Sequence, residues 1–182
     1  MKDKIPFYEI VNKFFVGAVF SFLFLVTISD RIALKNYYDQ YKDIMKDYSV
    51  ISSTILLISM YEVGFIINRL GSITVAPFLE KTGIWPKGEY KIDISEIKKD
   101  NDTFNTMILE LVLIRSHILI YIILAISAVI CKNCILFIAF FILILVFILS
   151  GRKHNDRINK IRADFKKKKI ARSMKIATKR SK

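Results

Sequence analysis

Residues that carry chemistry are scarce in this chain. It has two cysteines, Cys131 and Cys134, and two histidines, His117 and His154. That is too few for a disulfide scaffold or a structural zinc site, so no metal and no cofactor is expected. No HExxH, GxSxG, P-loop or GxGxxG run occurs. Their absence removes the commonest hydrolase, metalloprotease and nucleotide-binding signatures. A metal-independent ribonuclease of the HEPN type needs an arginine a turn or more ahead of a histidine, so that both meet one scissile phosphate. Arg115 stands two residues before His117, which is too tight, and neither histidine has an arginine at the longer spacing. A cysteine nucleophile with His117 as base would be split by the length of a membrane span. No enzyme is expected. There is no internal repeat, and the only low-complexity stretch is Lys166 to Lys169.

Apolar residues and positive charge are abundant. The chain is 53% hydrophobic yet carries a formal net charge of +13 over 182 residues, a length that fits one domain. A soluble domain would interleave the two. Here they are segregated, with long apolar runs followed by a basic final segment. That pattern points to a membrane protein with an anionic partner, either lipid headgroups or nucleic acid.

Four spans are expected. Residues 14–28, FFVGAVFSFLFLVTI, are uncharged, and extension back to Val11 makes the run just long enough to cross hydrocarbon roughly 30 Å thick. Thr27 and Ser29 leave a cleaved signal peptide as the rival reading. Residues 30–48 are charged and tyrosine-rich. Tyr37, Tyr38, Tyr41 and Tyr48 suit an interfacial aromatic belt. Residues 49–67 form the second span, with Pro77 marking its end. Residues 78–106, containing Trp85-Pro86, are the main hydrophilic connection. Residues 107–131 form the third span. Lys132 and Asn133 make a tight turn, and Cys131 and Cys134 flank it as hairpin residues. Residues 134–149 are the fourth span, ended by Gly151. The fold class is therefore all-α: a transmembrane domain over residues 1–151 and a basic tail over 152–182.

Charge sets the orientation. The tail holds 14 Lys or Arg against two Asp, and the connection between spans two and three adds six basic residues, Arg69, Lys81, Lys87, Lys91, Lys98 and Lys99. The first loop has four and the last turn one. The positive-inside rule places both termini in the cytoplasm of a bacterial cell membrane.

Ionisable groups within spans are costly and usually face a partner or water. Glu62, Glu110 and Arg115 qualify, with His117 beside them. Glu62 and Arg69 are seven apart and share a helical face. Two arrangements stay open. Spans two and three may combine, around a homo-oligomer, into a polar pore in which Glu62, Asn68, Arg69, Glu110, Arg115 and His117 form a lining or gate. Alternatively these residues form an ion pair within one chain, such as Glu62 with Arg115.

In the tail, Ile158, Ile161 and Phe165 fall at helical spacing, continued by Ile170, Met174 and Ala177. Arg152, Lys153, Arg157, Lys160, Arg162, Lys166, Lys167, Lys168, Lys169 and Arg172 occupy the remaining faces. This is a basic amphipathic helix. It suits anionic lipid, nucleic-acid phosphate, or simple topological anchoring. Phe165 is its one aromatic residue, so base-specific reading is not expected.

Residues 61–72, YEVGFIINRLGS, then PFLEK at 77–81, then Glu110-Leu-Val-Leu-Ile-Arg115-Ser116-His117 resemble a segment of small multi-pass effectors from bacterial anti-phage defence. The layout is similar to the membrane accessory protein of type VI-B CRISPR systems and to channel effectors of nucleotide-signalling defence. The resemblance implies a ring-shaped homo-oligomer that opens a pore and depolarises the inner membrane. It puts Asn68, Arg69, Arg115 and His117 at the cytoplasmic mouth, and implies an oligonucleotide signal or a cytosolic defence partner. The alternative is a non-conducting anchor whose basic tail recruits a nucleic-acid-bound or protein partner.

Overall fold

Four helices are long and apolar enough to cross a membrane, within Ile10–Ile28, Ser49–Lys81, Thr106–Ile130 and Cys134–Lys167. The computed structural model describes residues 7–28, 36, 38–43, 46, 48–86 and 102–180, without the side chains of 7–9, 102–103, 105, 168–169 and 172–180. The described residues contain no strand, and the chain is an all-α, multi-pass membrane protein. The connection over 87–101, with Lys87, Lys91, Lys98 and Lys99, lies outside the described residues, as does Tyr37.

The elements are α1 (Phe7–Ile28), α2 (Ser49–Leu70), a π-helical turn (Gly71–Val75), α3 (Ala76–Lys81), α4 (Asp102–Ile130) and α5 (Cys134–Arg180). Their burial is unequal. Half of the apolar window of α4 is buried inside the protein, against 11–17% for the other three. The third span is therefore the hub, and the others lay most of their apolar surface outward.

In hydrocarbon, helices gain nothing by hiding leucine from lipid, so close backbone approach has to hold them together. Between α1 and α2, Gly17 and Gly64 supply it. A Cβ on Gly17 would sit 1.7 Å from the Met60 carbonyl oxygen, and one on Gly64 would sit 1.7 Å from that of Lys13. Beneath this contact a membrane-level core gathers Val16, Ile67, Ile120, Leu124, Ala128 and Phe140.

Two boundaries differ from the sequence reading. The second span does not end at Pro77. Its helix runs on to Lys81 through the π turn. Proline lacks an N–H and its ring crowds the carbonyl four residues back. The wider turn absorbs this, with the Ala76 N–H reaching back five residues to the Gly71 carbonyl. The Ser72 and Thr74 hydroxyls donate to the Asn68 and Leu70 carbonyls, 3.0 and 2.7 Å away, satisfying acceptors at the widened turn. The connection assigned to 78–106 is thus shorter at both ends, since α4 begins at Asp102.

Nor does Gly151 end the last helix. α5 runs unbroken for 47 residues, about 70 Å at 1.5 Å per residue, more than twice the hydrocarbon thickness. Gly151 serves as a seat instead. A Cβ there would lie 2.2 Å from Cζ2 of Trp85. The indole is fully buried on that glycine and its Nε1 donates to the Ile148 carbonyl at 3.1 Å. Asn155 Nδ2 donates to the Pro86 carbonyl at 3.0 Å. Trp85 anchors a second core with Leu79, Phe104, Leu111, Ile114 and Ile158, on the side of the bundle where the tail emerges.

The tight turn at the other end is as expected. The Asn133 N–H bonds Ala128 O at 2.8 Å and the Lys132 N–H bonds Val129 O at 3.0 Å. This is the Schellman pattern that closes a helix, with Lys132 at φ 55°. Asn133 Oδ1 then accepts from the Leu136 N–H at 3.1 Å and caps α5.

Candidate functional site

The six polar residues singled out in the spans fall into two groups. Glu62 and Arg69 are exposed on α2. Asn68, Glu110, Arg115 and His117 point into the protomer and hold helices to one another.

In the inward group, Ser116 Oγ on α4 donates to Asn68 Oδ1 on α2 and also approaches Val112 O at 2.9 Å. Ser116 is fully buried and Asn68 is 8% exposed. Gly71 makes room for this contact, since a Cβ there would meet the Arg115 carbonyl oxygen at 3.1 Å. His117 is not at a mouth. Its ring stacks on Phe147 at 5.1 Å with an interplanar angle of 2°, near Tyr121 and Phe15, and Nδ1 lies 2.9 Å from Leu113 O. It packs as an aromatic core residue. The Arg115 guanidinium lies 5.6 Å from the Trp85 ring centroid, a cation–π contact. Glu110 Oε2 is 2.7 Å from His154 Nε2 and ties α4 to the tail. The suggested Glu62–Arg115 pair does not form. Among the described residues, Glu62 has neither an ion-pair nor a hydrogen-bond partner.

The outward group is part of a longer stripe. Ser52, Ile55, Ser59, Glu62, Ile66 and Arg69 repeat at three- and four-residue steps along one face of α2. Ile55 and Ile66 are more than half exposed, and Ser59 and Glu62 are exposed too. Glu62 is 13 residues into this helix, roughly 20 Å from its start, and so lies deep in the span. The sequence reading had Glu62 and Arg69 but missed the serines. The seven-residue interval from Ser52 to Ser59, repeated by Ile55 and Glu62, was the available signal.

Beside the stripe, a pocket of about 220 Å³ opens between α1, α2 and α4. Its polar wall is Asn12, Lys13, Asn68, Arg69 and Ser72, and its floor is Leu109, Val112 and Leu113. Sequence reasoning missed Asn12, Lys13 and Ser72, because nothing in the chain indicates which helix α1 faces.

The tail is built differently from a surface-lying helix. Ile158 is 1% exposed, and Ile161 and Phe165 pack beside it on the Trp85 core. The apolar face up to Phe165 is thus occupied by α4 rather than lipid. Arg152, Lys153, Arg157, Lys160, Lys166 and Lys167 are exposed, while Arg162 is half-buried. The side chains of Lys168, Lys169, Arg172, Met174 and Ala177 lie outside the described residues. Cys131 and Cys134 are free thiols, both exposed at the turn.

No family model, curated protein or solved structure matches the chain.

Proposed function

We propose that the chain assembles as a homo-oligomer in a cell membrane, with α2 of each copy facing a shared polar conduit for ions. One observation carries this reading: Glu62 is exposed and unpaired deep in a span. An acidic side chain held at the centre of a lipid-facing helix costs about 3 kcal/mol. Water in a conduit removes that cost, and so does a neighbouring copy. Copies inserted by the same charge bias run parallel, so their Glu62 side chains come to one level and form a ring. Ser52 and Ser59 carry the same face outward from it, and Arg69 forms a second ring about 10 Å away at seven residues' separation. Stacked rings of charge set selectivity by local field. The inward group then acts as the frame that holds α2 against α4. With the resemblance of residues 61–117, the reading extends to a pore effector of anti-phage defence that depolarises the inner membrane.

The test is ion flux through the purified protein in liposomes, compared with Glu62→Gln and Glu62→Lys. The expected result is a conductance in the wild type whose cation preference falls in Glu62→Gln and reverses in Glu62→Lys. Wild-type selectivity in both variants would remove α2 from the conduit.

A second reading is favoured by the tail. Packing on α4 holds the basic rim of α5 away from the bundle as a rigid arm, which suits a membrane anchor that recruits an anionic partner. It differs in one readout: loss of residues 166–182 abolishes function while Glu62→Gln leaves it intact.

A further inference from the structure

The pocket between α1, α2 and α4 has an unusual charge balance. Lys13 Nζ lies 5.4 Å and Arg69 Cζ 5.3 Å from the centroid of one ring, that of Phe65. Two cations thus converge at the rim of a cavity whose lining contains no carboxylate. Like charges brought together in a partly desolvated site repel, and an anion between them relieves the repulsion. Donors are present as well. Asn68 Oδ1 is taken by Ser116, which leaves Nδ2 to donate. Asn12 supplies a second amide.

The site continues into an apolar channel. Lys13 Nζ is also 5.9 Å from the Tyr61 ring centroid. Tyr61 in turn walls a groove of about 420 Å³ with Ile10, Val11, Phe14, Leu57 and Ile58, which is almost entirely apolar. A cationic head site and a hydrocarbon groove therefore share one edge. Depth agrees with this arrangement. Lys13 stands within a turn of Ile10, where the apolar window of α1 begins, the level at which long basic side chains reach lipid headgroups.

We infer that this is a specific site for an anionic phospholipid, with the phosphate between Lys13 and Arg69 and one acyl chain along the groove. The phosphate chemistry is shared with free phosphate; the adjoining groove selects the lipid. The site is built by α1 as much as by α2, so it stands apart from the conduit reading and can fail without it. A bound lipid would clamp α1 to the end of α2 next to the π turn.

The full-length protein in mild detergent is titrated with phosphatidylglycerol, with phosphatidylcholine of the same chains, and with inorganic phosphate. Thermal stability and the number of lipids retained in native mass spectrometry are read together. Phosphatidylglycerol is expected to raise Tm and be retained, while the other two do neither. Lys13→Gln should weaken the apparent affinity roughly five-fold and Lys13→Gln with Arg69→Gln roughly thirty-fold, the scale of one and two basic contacts at a lipid surface. Lys13→Arg should restore it. Lys166→Gln with Lys167→Gln, in the tail, should bind like the wild type. Equal retention of phosphatidylglycerol by the wild type and the double Lys13/Arg69 variant would overturn the site. Inorganic phosphate binding as tightly as the lipid would overturn its assignment to a lipid.

Discussion

Gly151 and Trp85 form a lock whose energetics reverse sign when one half is removed. Glycine within a helix is unfavourable relative to alanine by about 0.8–1.0 kcal/mol. Gly151→Ala would therefore stabilise α5 if nothing stood beside it. In the folded chain the new methyl falls 2.2 Å from Trp85 Cζ2, 2.9 Å from Cη2 and 3.0 Å from Ile114 Cγ2. The first two lie well inside ordinary carbon–carbon contact. The indole cannot slide freely, because Nε1 is hydrogen-bonded to Ile148 O and the ring is fully buried. Overpacking of this kind costs typically 1–3 kcal/mol, so Gly151→Ala should be net destabilising. Trp85→Ala alone should cost about 3–5 kcal/mol, through the cavity left in the second core. In the Trp85→Ala background the obstacle is gone, and Gly151→Ala should become neutral or stabilising by up to about 1 kcal/mol. The coupling between the two sites is then about 2–4 kcal/mol. Reversible unfolding of the four proteins in mixed micelles, followed by far-ultraviolet circular dichroism, measures it. The reasoning is refuted if Gly151→Ala destabilises both backgrounds equally, since the indole would then not be seated on that glycine.

Two further predictions follow from contacts elsewhere. Gly64→Ala places a methyl 1.7 Å from the Lys13 carbonyl oxygen, a backbone atom with no rotamer to change. It should force α1 off α2, whereas Ser59→Ala, on the opposite exposed face, should not. Disulfide cross-linking between cysteines introduced on α1 and α2, in a chain lacking Cys131 and Cys134, reads the separation; unchanged cross-linking in Gly64→Ala would contradict the close approach. Cys131 and Cys134 are the chain's only cysteines, and both are exposed at the turn opposite the tail. With the termini inside, a membrane-impermeant maleimide should label intact cells, and Cys131→Ser with Cys134→Ser should abolish the signal. Labelling only after lysis would invert the topology.

Much of the architecture was legible because hydropathy and charge are written locally. The four apolar runs, the Lys132-Asn133 turn and the segregation of basic residues into the tail each depend on neighbours within a few positions. Helix ends were less legible. Pro77 and Gly151 carry the usual signs of a boundary, yet tertiary contacts override both. The π turn makes space for the proline, and Trp85 needs the glycine. A single residue cannot announce that a side chain 66 positions away will sit on it.

The candidate site divides the same way. Sequence alone determined that α2 carries acid and base at mid-span and that they share a face, because 3.6 residues per turn sets which positions align along one helix. It could not determine which helix each face meets. Lipid is as apolar as leucine, so hydropathy is silent about partners inside a membrane. Only the tertiary structure placed Ser116 against Asn68, turned His117 into an aromatic stack and paired Glu110 with the tail through His154. Only packing left Glu62 outward and brought Lys13 of α1 beside Arg69 of α2 over one phenylalanine ring. Periodicity fixes direction within one element, while the identity of what lies opposite is decided by how closely two backbones can approach. Here that is set by Gly17, Gly64, Gly71 and Gly151.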